Sequence, residues 1–258
     1  MDKNKMNDLR KIVEYQKKIR ENRKRGTILF ADLADSTAYK ILKPTEEAQV
    51  KIYVHNDIVT QGVQAHEGMV IKYLGDGVMA MFQGGSVDKK AVNAAITIQK
   101  DLNVYNNDRG LKDFDKIQSK IGINSGDVFL WDYVPEGDPQ GTTVDVASRI
   151  TDLAKPDQIL CAATCKKGCS GKTAIRFGET VDRELKGVIE KIGICEVIWQ
   201  NELKIDETMH ISPLSDRIKS LLQRATKGEE QGEYISAIEL YKEILREDPQ
   251  HFLANLKL

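Results

Sequence analysis

The stretch IKYLGDGVMAMF (residues 71–82) contains a Gly-Asp-Gly turn between two β-rich runs, and together with ILFADLADST (28–37) it decides the predicted fold. In each stretch an acidic residue stands where an apolar run ends: Asp32 in the earlier one, and Asp76, at the centre of the turn, in the later one. If the two strands are neighbours in one sheet, both carboxylates project from the same edge. Paired carboxylates there can hold Mg²⁺, which prefers oxygen ligands, and the glycines beside Asp76 leave space for a phosphate.

Around these stretches, short β-rich runs alternate with longer helical patterns. Strands and covering helices in this order predict an α+β sandwich with one sheet. The predicted strands span residues 27–30, 69–73, 78–82, 119–123, 127–131, 158–161, 176–177 and 192–199, and the predicted helices span 7–22, 44–66, 88–104 and 143–154.

A third candidate segment is DPQGTTVDVASR (residues 138–149), which follows the strand-turn-strand pattern KIGINSGDVFL (120–130). Asp145 and Arg149 stand four positions apart on its predicted helix and therefore point the same way. They form either a surface ion pair of little energetic value or a site in which Arg149 offers a fixed positive charge to the phosphates of a substrate.

Four segments occur in order along the chain: FADLADST, IKYLGDGVMAMF, KIGINSGDVF and DPQGTTVDVASRI. Together they resemble the catalytic domain of class III adenylyl and guanylyl cyclases over roughly residues 26 to 200. The resemblance implies a ferredoxin-like α+β fold with a central, mostly antiparallel sheet covered by helices. It also implies a phosphorus–oxygen lyase that converts a nucleoside triphosphate into the 3′,5′-cyclic monophosphate and pyrophosphate, and so makes an intracellular second messenger. Domains of this family pair head to tail, so a homodimer would share its active sites at the subunit interface.

The same resemblance assigns roles to individual residues. Asp32 and Asp76, assisted by the backbone carbonyl of Leu33, would hold two Mg²⁺ or Mn²⁺ ions per site. Ions in these positions would make the ribose 3′-hydroxyl more acidic and neutralise charge on the leaving phosphates. Arg149 would stabilise the charge that develops on the α-phosphate.

Further residues match the family's substrate contacts. Lys72 and Asp138 match the pair that recognises adenine in the members that use ATP, and Lys186 matches a lysine that binds the terminal phosphates. Asp145 departs from the family pattern, because members usually carry there an asparagine that orients the ribose. An acid at this position adds negative charge close to the substrate.

The departure at Asp145 leaves alternatives open. One is a pyrimidine nucleotide cyclase that makes cyclic CMP or cyclic UMP in bacterial anti-phage signalling. Another is a degenerate cyclase that binds nucleotide and acts as a signalling module. ATP is favoured as the substrate because Lys72 and Asp138 are both present, and a mismatched base edge would leave buried polar groups unpaired.

Two local motifs between residues 161 and 195 are set aside. The four cysteines, Cys161, Cys165, Cys169 and Cys195, do not have the spacing of zinc-binding pairs, and reduced thiols without a metal are expected. Residues 171–173, Gly-Lys-Thr, resemble the end of a Walker A motif. Lys166 occupies the position of the required glycine, and no apolar strand leads into the loop.

Composition excludes several classes of partner. The formal net charge of −1 gives no general reason to bind nucleic acid or an acidic membrane surface. No run of eighteen apolar residues and no signal-peptide pattern is present in the sequence, so a cytoplasmic protein with a nucleotide substrate is expected.

The predicted organisation has four parts: an N-terminal helix (1–25), the catalytic domain (26–200), a linker (201–214) and a helical segment (215–258). The last part resembles one tetratricopeptide repeat in the positions of its small and aromatic residues. Because such a unit needs neighbours to bury its apolar face, a protein partner at these C-terminal helices is one expectation.

Overall fold

The computed structural model describes residues 3–130, 138–170, 174–200 and a few positions between 220 and 243. The chain divides into two compact units, one of Met1–Val104 with Phe114–Glu202 and one of Tyr105–Asp113 with Leu203–Leu258. The predicted linker and most of the tetratricopeptide-like segment lie outside the described residues, so both stay predictions. The described positions between 220 and 243 are helical.

Helices and strands are interspersed along the described part of the chain. The helices are α1 (Lys3–Glu21), α2 (Ser36–Leu42), α3 (Thr45–Ala65), α4 (Val87–Asp108), α5 (Thr142–Leu153) and α6 (Ala163–Gly168), with a 3₁₀ turn at Asp113–Asp115. The strands are β1 (Arg23–Leu33), β2 (Met69–Tyr73), β3 (Gly77–Phe82), β4 (Ser119–Leu130), β5 (Pro139–Gln140), β6 (Ile159–Ala162), β7 (Arg176–Phe177), β8 (Val181–Arg183) and β9 (Ile192–Ile198). None of the described helices combines the length and apolarity that a membrane crossing requires.

The strands form one sheet in the order β2-β3-β1-β4-β6-β9-β7, with β5 beside β4 and β8 beside β9. Strand β1 lies between β3 and β4 and is antiparallel to both. Only the β4–β6 pairing is parallel among the described strands. The prediction of an α+β fold with a central, mostly antiparallel sheet is therefore confirmed.

Helices cover both faces of this sheet. Because successive residues of a strand point to opposite sides, one strand contacts helices on both faces. On one face Ile28, Met79 and Met81 pack with Ala147 of α5. On the other face Thr27, the residue before Ile28 in β1, donates a hydrogen bond of 2.8 Å to Asp88 of α4. All six residues of β3 are buried, as expected of a strand covered on both sides.

The structure corrects two predicted boundaries. Residues 119–123 and 127–131 were expected to form two strands joined by a turn, but β4 is continuous from Ser119 to Leu130. Ser125 and Gly126, between the two predicted strands, pair with Thr27 and Gly26 of β1. Gly126 provides close approach instead of a turn, because a Cβ there would lie 2.5 Å from Thr143 Oγ1 of α5. Strand β1 also begins at Arg23, within the part assigned to the N-terminal helix.

We predict that Gly122→Ala destabilises the domain. A Cβ at position 122 would lie 2.2 Å from Thr151 Oγ1, 2.4 Å from the Thr151 backbone nitrogen and 2.8 Å from the Ala147 carbonyl oxygen, so α5 would have to move away from β4. We expect a loss of about 2–3 kcal/mol and a fall in Tm of roughly 5 °C or more, measured by thermal denaturation. Gly85→Ala is the control, since a Cβ there meets nothing within 4 Å; equal stability of the two variants would contradict the prediction.

Candidate active site

The two aspartates of the predicted metal site lie at one edge of the sheet. Asp32 is paired with Gly77 across the β1–β3 ladder, and Asp76 is the residue before Gly77. The Leu33 N–H donates a hydrogen bond of 3.1 Å to the Asp76 carbonyl, which ties the end of β1 to the turn. Strands β1 and β3 are neighbours, as the argument from the sequence required.

Each aspartate has an ammonium counter-ion. Lys120 Nζ of β4 lies 3.0 Å from Asp32 Oδ2, and Lys40 Nζ of α2 lies 3.0 Å from Asp76 Oδ1. The hydroxyl of Ser36, one turn before Lys40 on the same helix, donates a hydrogen bond to Asp76 Oδ2. The protein therefore neutralises both carboxylates with its own side chains.

The surroundings shift the pKa values of the two carboxyl groups in opposite directions. Burial raises the pKa of Asp32; Lys120 partly offsets this, and the nearby charge of Asp76 adds to the increase. Burial would also raise the pKa of Asp76, but hydrogen bonds from Ser36 and Lys40 outweigh it and hold the pKa below its usual value. Asp76 is thus the more firmly ionised of the two.

This donor set fits a divalent cation. Carboxylate oxygens from two neighbouring elements converge at one edge, and hard cations such as Mg²⁺ favour such ligands. No group of three or more His, Cys, Asp or Glu side chains able to hold a metal ion occurs in the described part of the chain. A cation at Asp32 and Asp76 would therefore complete its shell with other oxygens, and substrate phosphates can provide them.

Lys72 and Asp138, the predicted base-recognition pair, are in contact. Lys72 Nζ lies 2.7 Å from Asp138 Oδ2, although the two residues are 66 positions apart in the sequence. The other carboxylate oxygen, Asp138 Oδ1, is buried and has no hydrogen-bond partner among the described residues. A buried acceptor without a partner is uncommon in native structures, and it leaves Asp138 able to accept one more hydrogen bond.

Helix α5 carries the predicted catalytic arginine. Arg149 and Asp145 are both exposed, but Arg149 Nη1 pairs with Asp152 Oδ2 at 3.2 Å. The surface ion pair considered between Asp145 and Arg149 is thus formed with a different acid, one turn further along the helix. Asp152 also contributes to the raised pKa of Asp32, so the end of α5 approaches the edge that carries the aspartates.

Lys186, the predicted phosphate ligand, is exposed in the turn after β8. Within the described residues no contact joins it to the aspartate edge or to the Lys72–Asp138 pair.

Four charged or polar residues near the aspartates were not predicted from the sequence: Ser36, Lys40, Lys120 and Asp152. The spacing of Ser36 and Lys40, four positions apart, is a helical signal that could have been noticed beside Asp32. Lys120 lies directly across the β1–β4 ladder from Asp32, and that register is set by tertiary structure.

Known adenylate cyclases are similar to this chain in sequence. An adenylate cyclase from Anabaena cylindrica is 31% identical over 190 residues, which cover 67% of this chain and 37% of that protein. Adenylate cyclase 1 of Rhizobium meliloti is 24% identical over 186 residues, which cover 68% of this chain and 28% of that protein. The chain thus matches about a third of the length of these relatives.

Solved structures share the fold. An adenylyl cyclase from P. aeruginosa superimposes with a TM-score of 0.63 at 20% identity, over 70% of this chain and 96% of that one. A guanylyl cyclase superimposes with a TM-score of 0.62 at 21% identity, over 71% of this chain and 96% of that one. Because both substrate classes are represented, the fold does not select the base.

Residues 20–198 match the family described as the adenylate and guanylate cyclase catalytic domain. The match ends before residue 215, and the tetratricopeptide-like interpretation of the C-terminal segment is not supported by these relatives. Cyclase catalytic domains use a nucleotide substrate, generally require divalent metal ions and typically dimerise. Through residues 20–198 the chain belongs to the adenylate and guanylate cyclase catalytic domain family.

Proposed function

We propose that two copies of this chain form a homodimer that converts ATP into 3′,5′-cyclic AMP and pyrophosphate. The observation that carries the choice of base is the Lys72–Asp138 pair, with its 2.7 Å contact and the buried Asp138 Oδ1, which has no hydrogen-bond partner among the described residues. It presents an ammonium donor and a carboxylate acceptor side by side. Adenine offers the complement, since its amino group donates and the adjacent ring nitrogen accepts.

The Lys72–Asp138 pair also predicts an order of preference among the other nucleotides. For a base held with its exocyclic group toward Asp138 and the adjacent ring nitrogen toward Lys72, guanine and uracil would oppose a carbonyl to the carboxylate and an N–H to the ammonium. Buried polar atoms would then be left unpaired. Cytosine presents an amino donor beside a ring acceptor, as adenine does. The pyrimidine alternative, favoured by the acid at Asp145, therefore narrows to CTP, and cyclic UMP is the less favoured product.

The chain's own residues would position the reaction. Asp32 and Asp76, with the Leu33 carbonyl, would hold two Mg²⁺ or Mn²⁺ ions, which when bound acidify the ribose 3′-hydroxyl and offset phosphate charge. Arg149 would place a planar fork of donors at the α-phosphate, where negative charge increases during attack. Because the attack is intramolecular, holding the base and the phosphates in line accounts for much of the acceleration.

We propose that each site uses both chains, with the aspartates from one and Lys72, Asp138 and Arg149 from the other. Lys186 would contact the terminal phosphates. Arg149 is 44% exposed and Lys72 is 42% exposed, so both reach the surface on which a partner would dock. Cytoplasmic location and a protein partner at the C-terminal helices remain proposals that rest on the sequence alone.

Purified protein incubated with Mg²⁺ or Mn²⁺ and each of ATP, GTP, CTP and UTP distinguishes these functions. We expect a cyclic product from ATP, a lower yield from CTP and the least from GTP and UTP, with products identified by mass spectrometry. Tight nucleotide binding without any cyclic product would support the degenerate signalling module instead. A preference for UTP or GTP would contradict the role of Lys72 and Asp138.

We predict that Asp32→Ala and Arg149→Ala each reduce activity at least about 100-fold and that mixing them restores activity. Half of the dimers in an equal mixture contain one copy of each variant, and such a dimer keeps one intact site, so recovery to roughly a quarter of the unmodified activity is expected. Asp32→Ala mixed with Asp76→Ala is the control and should not recover, because both changes affect the same half of every site. Equal behaviour of the two mixtures, with dimers verified by light scattering, would exclude the shared site.

We predict that Lys40→Met increases the affinity for divalent cations by roughly threefold. The Lys40 ammonium donates to Asp76 Oδ1 at 3.0 Å and has to yield when a cation binds that oxygen. Binding of Mn²⁺ is measured by electron paramagnetic resonance, with and without ATP. Lys43→Met is the matched control, since Lys43 pairs with Asp115 at 2.8 Å; unchanged or weaker Mn²⁺ binding by Lys40→Met would show that Lys40 does not compete with the cation.

A further inference from the structure

The four cysteines of the chain gather in one buried region that the proposed reaction does not use. Cys161 lies on β6, Cys195 on β9, and Cys165 and Cys169 lie in and just after α6. All four are buried and none forms a disulfide. Their grouping arises from the fold, because Cys195 joins the others only through the pairing of β6 with β9.

Cys161 and Cys195 stand directly opposite each other in the antiparallel β6–β9 ladder, and their Sγ atoms are 3.5 Å apart. Opposed residues of antiparallel strands have Cα atoms about 4.5–5.5 Å apart. Disulfides span Cα separations of roughly 4.4–6.8 Å. The backbone is thus already within bonding range, and the sulfur atoms have to approach by about 1.5 Å to reach the disulfide bond length.

The two thiols are chemically unequal. The pKa of Cys195 is lowered to about 7, mainly by the hydrogen bond between the two thiols. Burial opposes this shift, whereas the charge of Lys166 and a hydrogen bond with Thr180 add to it. The pKa of Cys161 is raised by the hydrogen bond between the two thiols and by burial. The lowered pKa and the nearby charge of Lys166 favour Cys195 over Cys161 as the attacking sulfur of the pair.

The other two cysteines are in a different environment. Burial raises the pKa of Cys165 to about 12, and its Sγ lies 3.0 Å from the hydroxyl oxygen of Ser125. Burial also raises the pKa of Cys169, to about 11. Since the thiolate is the reactive form, Cys165 and Cys169 serve as internal references of low reactivity.

A small oxidant has a short route to Cys195. Strand β7 pairs with β9 at Val197 and Ile198, and β8 pairs with it at residues 192–194, so Cys195 falls between the two pairings. The chain opposite it there is Gly178–Thr180, in which Glu179 and Thr180 are exposed. The Gly178 N–H donates a backbone hydrogen bond of 2.8 Å to the Glu196 carbonyl, and the Lys166 ammonium donates to the Gly178 carbonyl at 3.0 Å. Local opening of so short an edge is a low-energy event.

We propose that Cys161 and Cys195 form a peroxide-sensitive dithiol that closes reversibly to a disulfide between β6 and β9. The Cys195 thiolate attacks one oxygen of hydrogen peroxide, the O–O bond breaks, and with one proton taken up the products are the Cys195 sulfenic acid and water. The Cys161 sulfur then attacks the Cys195 sulfur, the S–O bond breaks, and the hydroxyl leaves as a second water with the proton of the Cys161 thiol. Two thiols and one peroxide thus give one disulfide and two waters.

The test counts thiols in the whole, unmodified chain after treatment with hydrogen peroxide. Of the 4 cysteines, two should be lost and two should remain titratable after denaturation, and peptide mapping should find Cys161 joined to Cys195. Dithiothreitol should restore all four. Cys161→Ala and Cys195→Ala should abolish the cross-link, while Cys169→Ala, an equally buried site, should retain it.

A surface variant tests the reaction without altering either thiol. Lys166→Met removes the positive charge beside Cys195 and also the hydrogen bond that the Lys166 ammonium donates to the Gly178 carbonyl at 3.0 Å. It should therefore change the rate of disulfide formation, while Lys167→Met, at the exposed neighbouring position, should not. Four intact thiols after oxidation, or a cross-link involving Cys165 or Cys169, would overturn the proposal. None of these readouts requires nucleotide turnover, so the dithiol and the cyclase activity can fail independently.

Discussion

The register of β1 against its two neighbours is the constraint on which the candidate site depends. It sets Asp32 beside Gly77 on one side and opposite Lys120 on the other. A slip of one residue would turn Asp32 to the opposite face of the sheet and separate it from both. Such a slip is prevented by the buried residues Ile28, Leu29 and Ala31. It would exchange the side chains that pack on one face of the sheet for those that pack on the other.

Close packing of α5 on β4 fixes the second half of the site. Gly122 and Gly126 leave room for the helix backbone and for Thr143, so the helix axis cannot drift along or away from the strand. The backbone positions of Asp145 and Arg149 are therefore set by the close-packed core. The polar groups of the site therefore depend for their positions on glycines that touch no substrate.

The sequence was informative where chemistry and secondary structure share a short segment. Asp32 and Asp76 stand at the ends of apolar runs, so their common edge could be predicted before the sheet was known. The counter-ions could not, because Lys120 reaches Asp32 only through the β1–β4 pairing and Lys40 reaches Asp76 from α2, which was not predicted. A turn was predicted around Ser125 and Gly126, but Gly126 allows the close approach of Thr143 from α5. Such tertiary packing has no signal in the local sequence.

The central position of β1 in the sheet also affects how the domain folds. Between β1 and β4 the side chains of Arg23 and Asp127 join positions 104 residues apart in sequence, and contacts of such range slow folding. During synthesis β1 emerges long before β4, leaving one edge of an apolar strand unpaired and open to association with other chains. The run Arg23-Lys24-Arg25 at the start of that strand supplies the like charges that discourage edge-to-edge aggregation.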